Sequence, residues 1–364
     1  MNESKIINVH AHIFTHKNVP VNFLPLLLRP VAGWLKNEKL ASALSWISEK
    51  IFRQRHWAEL ISRYHHFIAI GEEKTQEGVL KDLIAQYPKG TKFAILTMDM
   101  EYMGAGKVPQ PFTEQLEELA ALKRKPAYKD IIYPFIFVHP ERPNIFELVK
   151  QYIEVENFAG IKLYPPLGYF PFDSRLDAVF EYAEKKGIPI TTHCARGGVF
   201  YKGKITDDML IHPISGKRLE KNSNKYFTDV YTDPLNYVYL LKKFPQLKIN
   251  LAHCGGFDEW KKFIEGGQGE VPPTWYETVC KLMEGSPNVY ADVSYTLYTQ
   301  ELYPQLRVML GIETFRNKVL FGSDFYMVQR ETTEKEFYLR LRAYLGDEKF
   351  KQIAEINPVK FLSL

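Results

Sequence analysis

The stretch Ile6-Ile7-Asn8-Val9-His10-Ala11-His12-Ile13-Phe14 sets two histidines, two positions apart, at the end of an apolar run. On a β-strand, side chains two apart share one face. Two imidazoles side by side at a strand end make half of a metal site. Further donors follow, each closing another apolar run. They are His193 in Thr191-Thr192-His193-Cys194, His253 in Leu251-Ala252-His253-Cys254, and Asp324 in Phe321-Gly322-Ser323-Asp324.

Between these points the chain keeps a rhythm. Strand-like runs at 92–97, 131–138, 159–164, 190–193, 247–253, 288–293 and 318–321 alternate with helical patterns at 113–123, 144–153, 175–186, 234–243, 274–283, 301–310 and 333–345. With the first stretch this makes eight strands, the pattern of an α/β chain folded as one (β/α)8 TIM barrel over residues 1–364. A doubly wound open sheet is the rival, but no Gly-x-Gly-x-x-Gly follows any strand. Barrels carry catalytic groups at the C-terminal ends of their strands. His10 and His12 hold that position on the first strand, Lys162 on the fourth, His193 on the fifth, His253 on the sixth and Asp324 on the eighth.

Two segments break the rhythm. Residues 15–90 read as a helical insertion over the barrel mouth. Leu35, Leu40, Leu44, Trp46, Ile47 and Ile51 recur there at helical spacing, apolar enough to predict a homodimer contact. Residues 198–231 are a charged, Gly-rich excursion.

The 47 basic and 43 acidic residues nearly balance, which leaves no electrostatic footprint for nucleic acid. A 45% hydrophobic content supplies a large core, and 14% aromatics leave rings to spare for lining a pocket for a small organic molecule. Only Cys194, Cys254 and Cys280 are present, too few for a disulfide framework and consistent with a reducing compartment. Cys194 and Cys254 each follow a candidate ligand, so they face away from it and read as buried thiols. The apolar run 19–28 is too short to span a bilayer. Its removal as a signal peptide would also remove His10 and His12. A cytoplasmic protein without membrane contact is expected.

The segments Val9-His10-Ala11-His12, Gly160-Ile161-Lys162-Leu163-Tyr164-Pro165-Pro166, Thr192-His193, Ala252-His253-Cys254-Gly255-Gly256 and Gly322-Ser323-Asp324 follow one another at successive strand ends. With Asn357-Pro358 near the end, this order resembles the amidohydrolase superfamily, on the amidohydrolase-related branch of hydrolases, lactonases and metal-dependent decarboxylases. The resemblance implies a divalent ion, commonly zinc, with manganese and others as alternatives, held by His10, His12, His193 and Asp324. Neutral imidazoles and one carboxylate suit such a borderline cation independently. Asp324 would bind metal and relay the proton of water, and His253 would polarise the substrate carbonyl or hold the water. Lys162 has two readings. Carbamylated, it would bridge to a second ion bound by His193 and His253; unmodified, its ammonium would meet a substrate carboxylate. One ion is the favoured reading. The expected activity is hydrolysis of an amide, lactone or ester, with non-oxidative decarboxylation of an aromatic or enol acid as the alternative.

Tyr164, Tyr169, Arg196 and His139 lie at the catalytic face as candidate substrate contacts, Arg196 suited to a carboxylate. Asp292 reads equally as a residue orienting a ligand and as a turn cap. His16, His56, His65, His66 and His212 read as ordinary surface or core histidines.

Overall fold

The computed structural model describes residues 5–23, 75–220, 222–328 and 331–364. Eight strands run β1 (Ile7–Ala11), β2 (Lys92–Leu96), β3 (Ile132–Phe137), β4 (Gly160–Leu163), β5 (Ile190–Ala195), β6 (Ile249–Gly255), β7 (Val289–Asp292) and β8 (Val319–Leu320). They form one sheet in sequence order, each neighbour parallel to the next. The sheet curls back on itself: Val9 N–H donates to Phe321 O at 3.0 Å and Asp324 N–H to His10 O at 2.8 Å. This nearly closed barrel with helices between its strands is the TIM-barrel fold.

Strand periodicity builds the two layers. Ile7, Val9, Ala94, Leu96, Phe135 and Leu320 form an inner cluster, whereas Phe93, Ile95 and Ile136 belong to the larger outer core beneath the helices. β1 then departs from simple alternation. Ile7 and Val9 are inner residues, so an unbroken strand would send His10 and His12 outward. The β1–β2 register shifts between Asn8 and Ala11. After it Ala11 packs in the outer core, while His10 and His12 line the inner cleft. The bulge re-aims the two histidines together, as bulges beside active sites do.

Most of residues 15–90, the expected helical insertion, lies outside the described residues. Its final part is the helix Gln76–Ala85, capped by the Thr75 side chain, with Val79, Leu80 and Leu83 buried. It makes the crossover from β1 to β2. The 198–231 excursion contains a helix not read from sequence, Asn224–Thr232, whose start is capped by Ser223. Cys194 and Cys254 are buried in the outer core. Among the described residues no helix is long and apolar enough to cross a membrane.

Gly160, at the start of β4, marks a tight place in the barrel. A Cβ there would lie 2.4 Å from the Phe135 ring and 2.6 Å from Pro189 O. Gly160→Ala is expected to destabilise the protein by about 1–3 kcal/mol through overpacking. Gly285→Ala, where a Cβ meets nothing within 4 Å, should stay within about 0.5 kcal/mol of wild type. Urea denaturation of both variants tests this; equal stabilities would contradict the packing.

Candidate metal centre and active site

At the C-terminal end of the barrel, His10, His12 and Asp324 offer ligand atoms within 4.8 Å of one another, all three buried. The histidines are pre-aimed. His12 Nδ1 is 2.8 Å from Leu96 O, and since a carbonyl only accepts, that nitrogen carries the proton. Its Nε2 is therefore a bare lone pair, 3.9 Å from Asp324 Oδ1. His10 Nδ1 lies 3.1 Å from Asp292 Oδ2 and 2.9 Å from Ser294 Oγ, which leaves its Nε2 for the cluster. A ligand histidine whose other nitrogen is held by a carboxylate or carbonyl is the usual metal-site arrangement.

His253 is fixed in the same way, with Nδ1 2.9 Å from Ser294 O. Its Nε2 is then an acceptor, and it meets His193 Nδ1 at 3.0 Å. His193 is thus brought beside His253 rather than into the His10–His12–Asp324 cluster. Its Nε2 is buried and has no hydrogen-bond partner among the described residues. An orphaned buried imidazole nitrogen at the same end of the barrel as two bare ones and a carboxylate is the donor chemistry that suits a divalent cation with mixed nitrogen and oxygen ligands.

The charges agree. Burial holds His12 well below the usual imidazole range, reinforced by His10 and Lys162. Burial and the neighbouring His253 and Lys162 do the same for His193. Burial, then His10, lowers His253 to about 3. These rings stand neutral at pH 7, the form that ligates metal. Burial raises the Asp324 carboxyl, partly opposed by His10 and Lys162. Burial would also raise Asp292, but His10 and the hydrogen bonds from His10 and Ser294 hold it well below the carboxylate range.

Comparison with known proteins shows the family and the fold. The amidohydrolase family model matches residues 65–364. The chain belongs to the amidohydrolase family. The match begins after β1, so His10 and His12 enter the site through the fold and not through the matched residues. No curated protein matches in sequence. Solved structures share the barrel. An uncharacterised TIM-barrel protein from Bordetella bronchiseptica has a TM-score of 0.54 at 14% identity, covering 98% of each chain. The 5-carboxyvanillate decarboxylase of Sphingomonas paucimobilis has a TM-score of 0.53 at 14% identity, covering 99% of each chain. A putative amidohydrolase from Staphylococcus aureus has a TM-score of 0.50 at 16% identity, covering 81% of this chain and 93% of its own.

This amidohydrolase opens its site through a cleft of about 200 Å³. Lys162 and Tyr164 line it. The Lys162 ammonium lies 5.8 Å over the Tyr164 ring and is lowered to about 8 by burial against the pull of Asp292 and Asp324. Tyr164 Oη accepts the Val199 N–H at 3.0 Å. Tyr169 is one layer back, its Oη taking the Tyr164 N–H at 2.8 Å. Arg196 is at the rim, stacked 4.2 Å from Trp275 and bound to Glu259 at 2.6 Å and Asp229 at 3.3 Å. His139 is not among the cleft-lining residues. Its ring stacks on Tyr102 at 4.2 Å and stands edge-on to Tyr169 at 4.9 Å. Asp292 meets both of its sequence readings, holding His10 Nδ1 and capping the turn after β7 through the Ser294 N–H at 3.0 Å. Asn250 and Ser294 escaped the sequence reading. Asn250 Nδ2 donates to Asp292 Oδ2 at 2.7 Å, and Ser294 Oγ sits between His10 Nδ1 and His253 Nδ1 at 2.9 and 3.1 Å. The available signal for Asn250 was a polar residue inside an apolar strand.

A neutral His253 has a consequence for stability. In the fold it stays unprotonated down to about pH 3, whereas an unfolded chain takes up that proton near 6.5. Between these values the unfolded state binds more protons, so this contribution to stability is lost as pH falls below 6.5. For metal-free protein, His253→Gln should flatten the slope of unfolding free energy against pH, between pH 4 and 6, by up to about 1.4 kcal/mol per unit. An unchanged slope would mean that the ring is charged in the fold.

Proposed function

We propose that this protein is a metal-dependent hydrolase that holds one divalent ion and cleaves an amide, lactone or ester bond of a small organic acid. The observation that carries the reading is the buried cluster of His10, His12 and Asp324, with both histidines' Nδ1 atoms committed elsewhere. His193, with its unpartnered nitrogen, is the fourth ligand we assign. Three imidazoles and a carboxylate suit zinc, with manganese as an alternative. When bound, the ion supplies Lewis acidity, bringing the pKa of water from 15.7 towards about 7. One ion is favoured over two. A second group of candidate donors, His10, His253 and Asp292, is already closed by hydrogen bonds from His10 and Asn250 to Asp292.

The side chains divide the remaining work. Asp324, whose carboxyl is raised by burial, takes the proton from the attacking water and passes it to the leaving group. His253, whose Nε2 accepts the His193 Nδ1 proton, holds the His193 ring in place beside that water. Lys162 is fully buried and among the described residues makes no hydrogen bond or ion pair, so it is free to anchor a substrate carboxylate. The Tyr164 hydroxyl accepts from Val199 N–H and keeps its own proton to donate. Arg196 has N–H groups beyond those bound to Glu259 and Asp229, and it screens the entrance for anions.

The second reading is non-oxidative decarboxylation. Phe14, Met98, Met100, Phe257 and Tyr295 line the cleft, and apolar and aromatic walls around a lysine suit a flat aromatic acid. One relative in fold is a decarboxylase. Release of carbon dioxide without consumption of water separates the two reactions.

Elemental mass spectrometry on tag-free protein purified without chelators should find about one metal per chain. None after reconstitution with zinc and manganese would end the reading; two would move it to the bridged, carbamylated-Lys162 form. His12→Ala should lower bound metal and cut activity more than about 100-fold, beyond the loss of an outer partner, with the fold intact. Arg196→Ala should raise KM for acidic substrates about 10-fold with kcat little changed. An unchanged KM would remove Arg196 from recognition.

A further inference from the structure

We propose that Asn8 is a positioning residue for the metal ligands: its carboxamide locks the seam between β1 and β8 so that His10 and Asp324 meet. The inference rests on the metal site proposed above and concerns a residue outside it.

The bulge in β1 turns His10 inward and takes its N–H out of the strand ladder. Asn8 Oδ1 accepts that N–H at 3.1 Å, and the same oxygen accepts the Ser323 N–H at 3.2 Å. Asn8 Nδ2 donates to Ser323 Oγ at 2.8 Å and to Tyr87 Oη at 3.2 Å. These four bonds use both donors and both lone pairs of the amide. Asn8 is fully buried. The side chain therefore ties the N–H of His10 to the N–H of Ser323, the residue before Asp324.

The main chain adds its own contacts at this seam. Asp324 N–H and Ser323 N–H both reach His10 O, at 2.8 and 3.3 Å. Asp324 has a left-handed backbone, φ 62°, a conformation that persists only where surroundings enforce it. Gly322 permits the approach, since a Cβ there would lie 2.7 Å from His10 Cβ. On the far side, Tyr87 Oη donates to Glu334 Oε2 at 2.6 Å, and Glu334 N–H donates to Gln86 at 2.9 Å. The acceptor side of the Asn8 amide thus serves the ligands, and its donor side serves the helical shell.

That asymmetry provides the test. The readout is cobalt(II) affinity of the full-length protein, stripped and reloaded, by competition with a chromophoric chelator, with thermal unfolding of the metal-free form alongside. Asn8→Ala should weaken cobalt 10- to 100-fold, about the cost of losing a group that orients metal ligands. Asn8→Asp keeps the acceptor oxygen for the His10 and Ser323 N–H groups and gives up only the donor side. It should recover affinity to within about threefold of wild type. Tyr87→Phe touches only the donor side; it should lower the unfolding temperature and leave affinity within about threefold. Wild-type affinity in Asn8→Ala overturns the proposal, as does Asn8→Asp binding as weakly as Asn8→Ala. A loss of affinity in Tyr87→Phe that tracks its unfolding temperature would reduce Asn8 to general stability and overturn it too. If Asn8→Ala does not fold, the other two variants decide, and a tenfold loss in either overturns it. Wild-type protein that binds no cobalt takes down the metal site itself, a failure distinct from these.

Discussion

The site depends on one buried carboxylate. Asp292, at the end of β7, has no exposed surface. Its Oδ2 accepts from His10 Nδ1 and Asn250 Nδ2, and its Oδ1 from the backbone N–H groups of His253 and Ser294 and from the Ser294 hydroxyl. An ionised carboxylate in a protein interior costs several kcal/mol unless its lone pairs are filled. Here they are filled by donors from β1, β6 and the turn after β7. The need to satisfy this one charge therefore fixes the His10 ring, the His253 backbone and the Ser294 side chain together. Ser294 extends the arrangement through its carbonyl, which takes the His253 Nδ1 proton. The tautomers of His10 and His253 thus follow from Asp292 and the turn it caps.

Such a centre is held against backbone preference. His253, Cys254 and Asp324 have φ of 66°, 47° and 62°, left-handed conformations that each cost of order 1–3 kcal/mol outside glycine. Each is pinned by specific bonds. Thr296 Oγ1 donates to His253 O at 2.7 Å, Trp260 Nε1 to Cys254 O at 2.7 Å, and Asp324 N–H to His10 O at 2.8 Å. The strain lies where strands end and ligands begin, and the barrel's outer layer supplies the groups that hold it.

The barrel was readable in the sequence because its signals are local. Apolar runs and amphipathic helices repeat on a short period, and the described strands fall within a few residues of where that period put them. The His10–His12 pair was readable as sharing a face, yet not as facing inward, because the bulge after Asn8 reverses a parity that counting would have kept. The partners of the ligands were less legible. Asn250 and Ser294 are ordinary polar residues whose roles come from strands 40 or more positions away in sequence. His139 shows the reverse case. It sits at the catalytic end of β3 as expected, but Tyr102 and Tyr169 occupy both approaches to its ring, and strand position alone does not reveal a neighbour's side chain.

Charge bookkeeping on the inner wall gives the proposed reaction an order of events. With His12, His193 and His253 neutral, the acidic side chains and the lysine there are Asp292, Asp324 and Lys162. Two carboxylates against one ammonium leave a net negative wall in a low dielectric, where such an excess draws a cation strongly. A divalent ion reverses the sign. The same wall then favours an anion, and Lys162, no longer outnumbered, is the group left to receive it. At the rim the Arg196 charge is partly offset by Glu259 and Asp229. Metal before substrate is the order we propose from those charges. A buried lysine that makes no ion pair among the described residues fits that order: its charge would limit the pull on metal and be recovered in binding an acid.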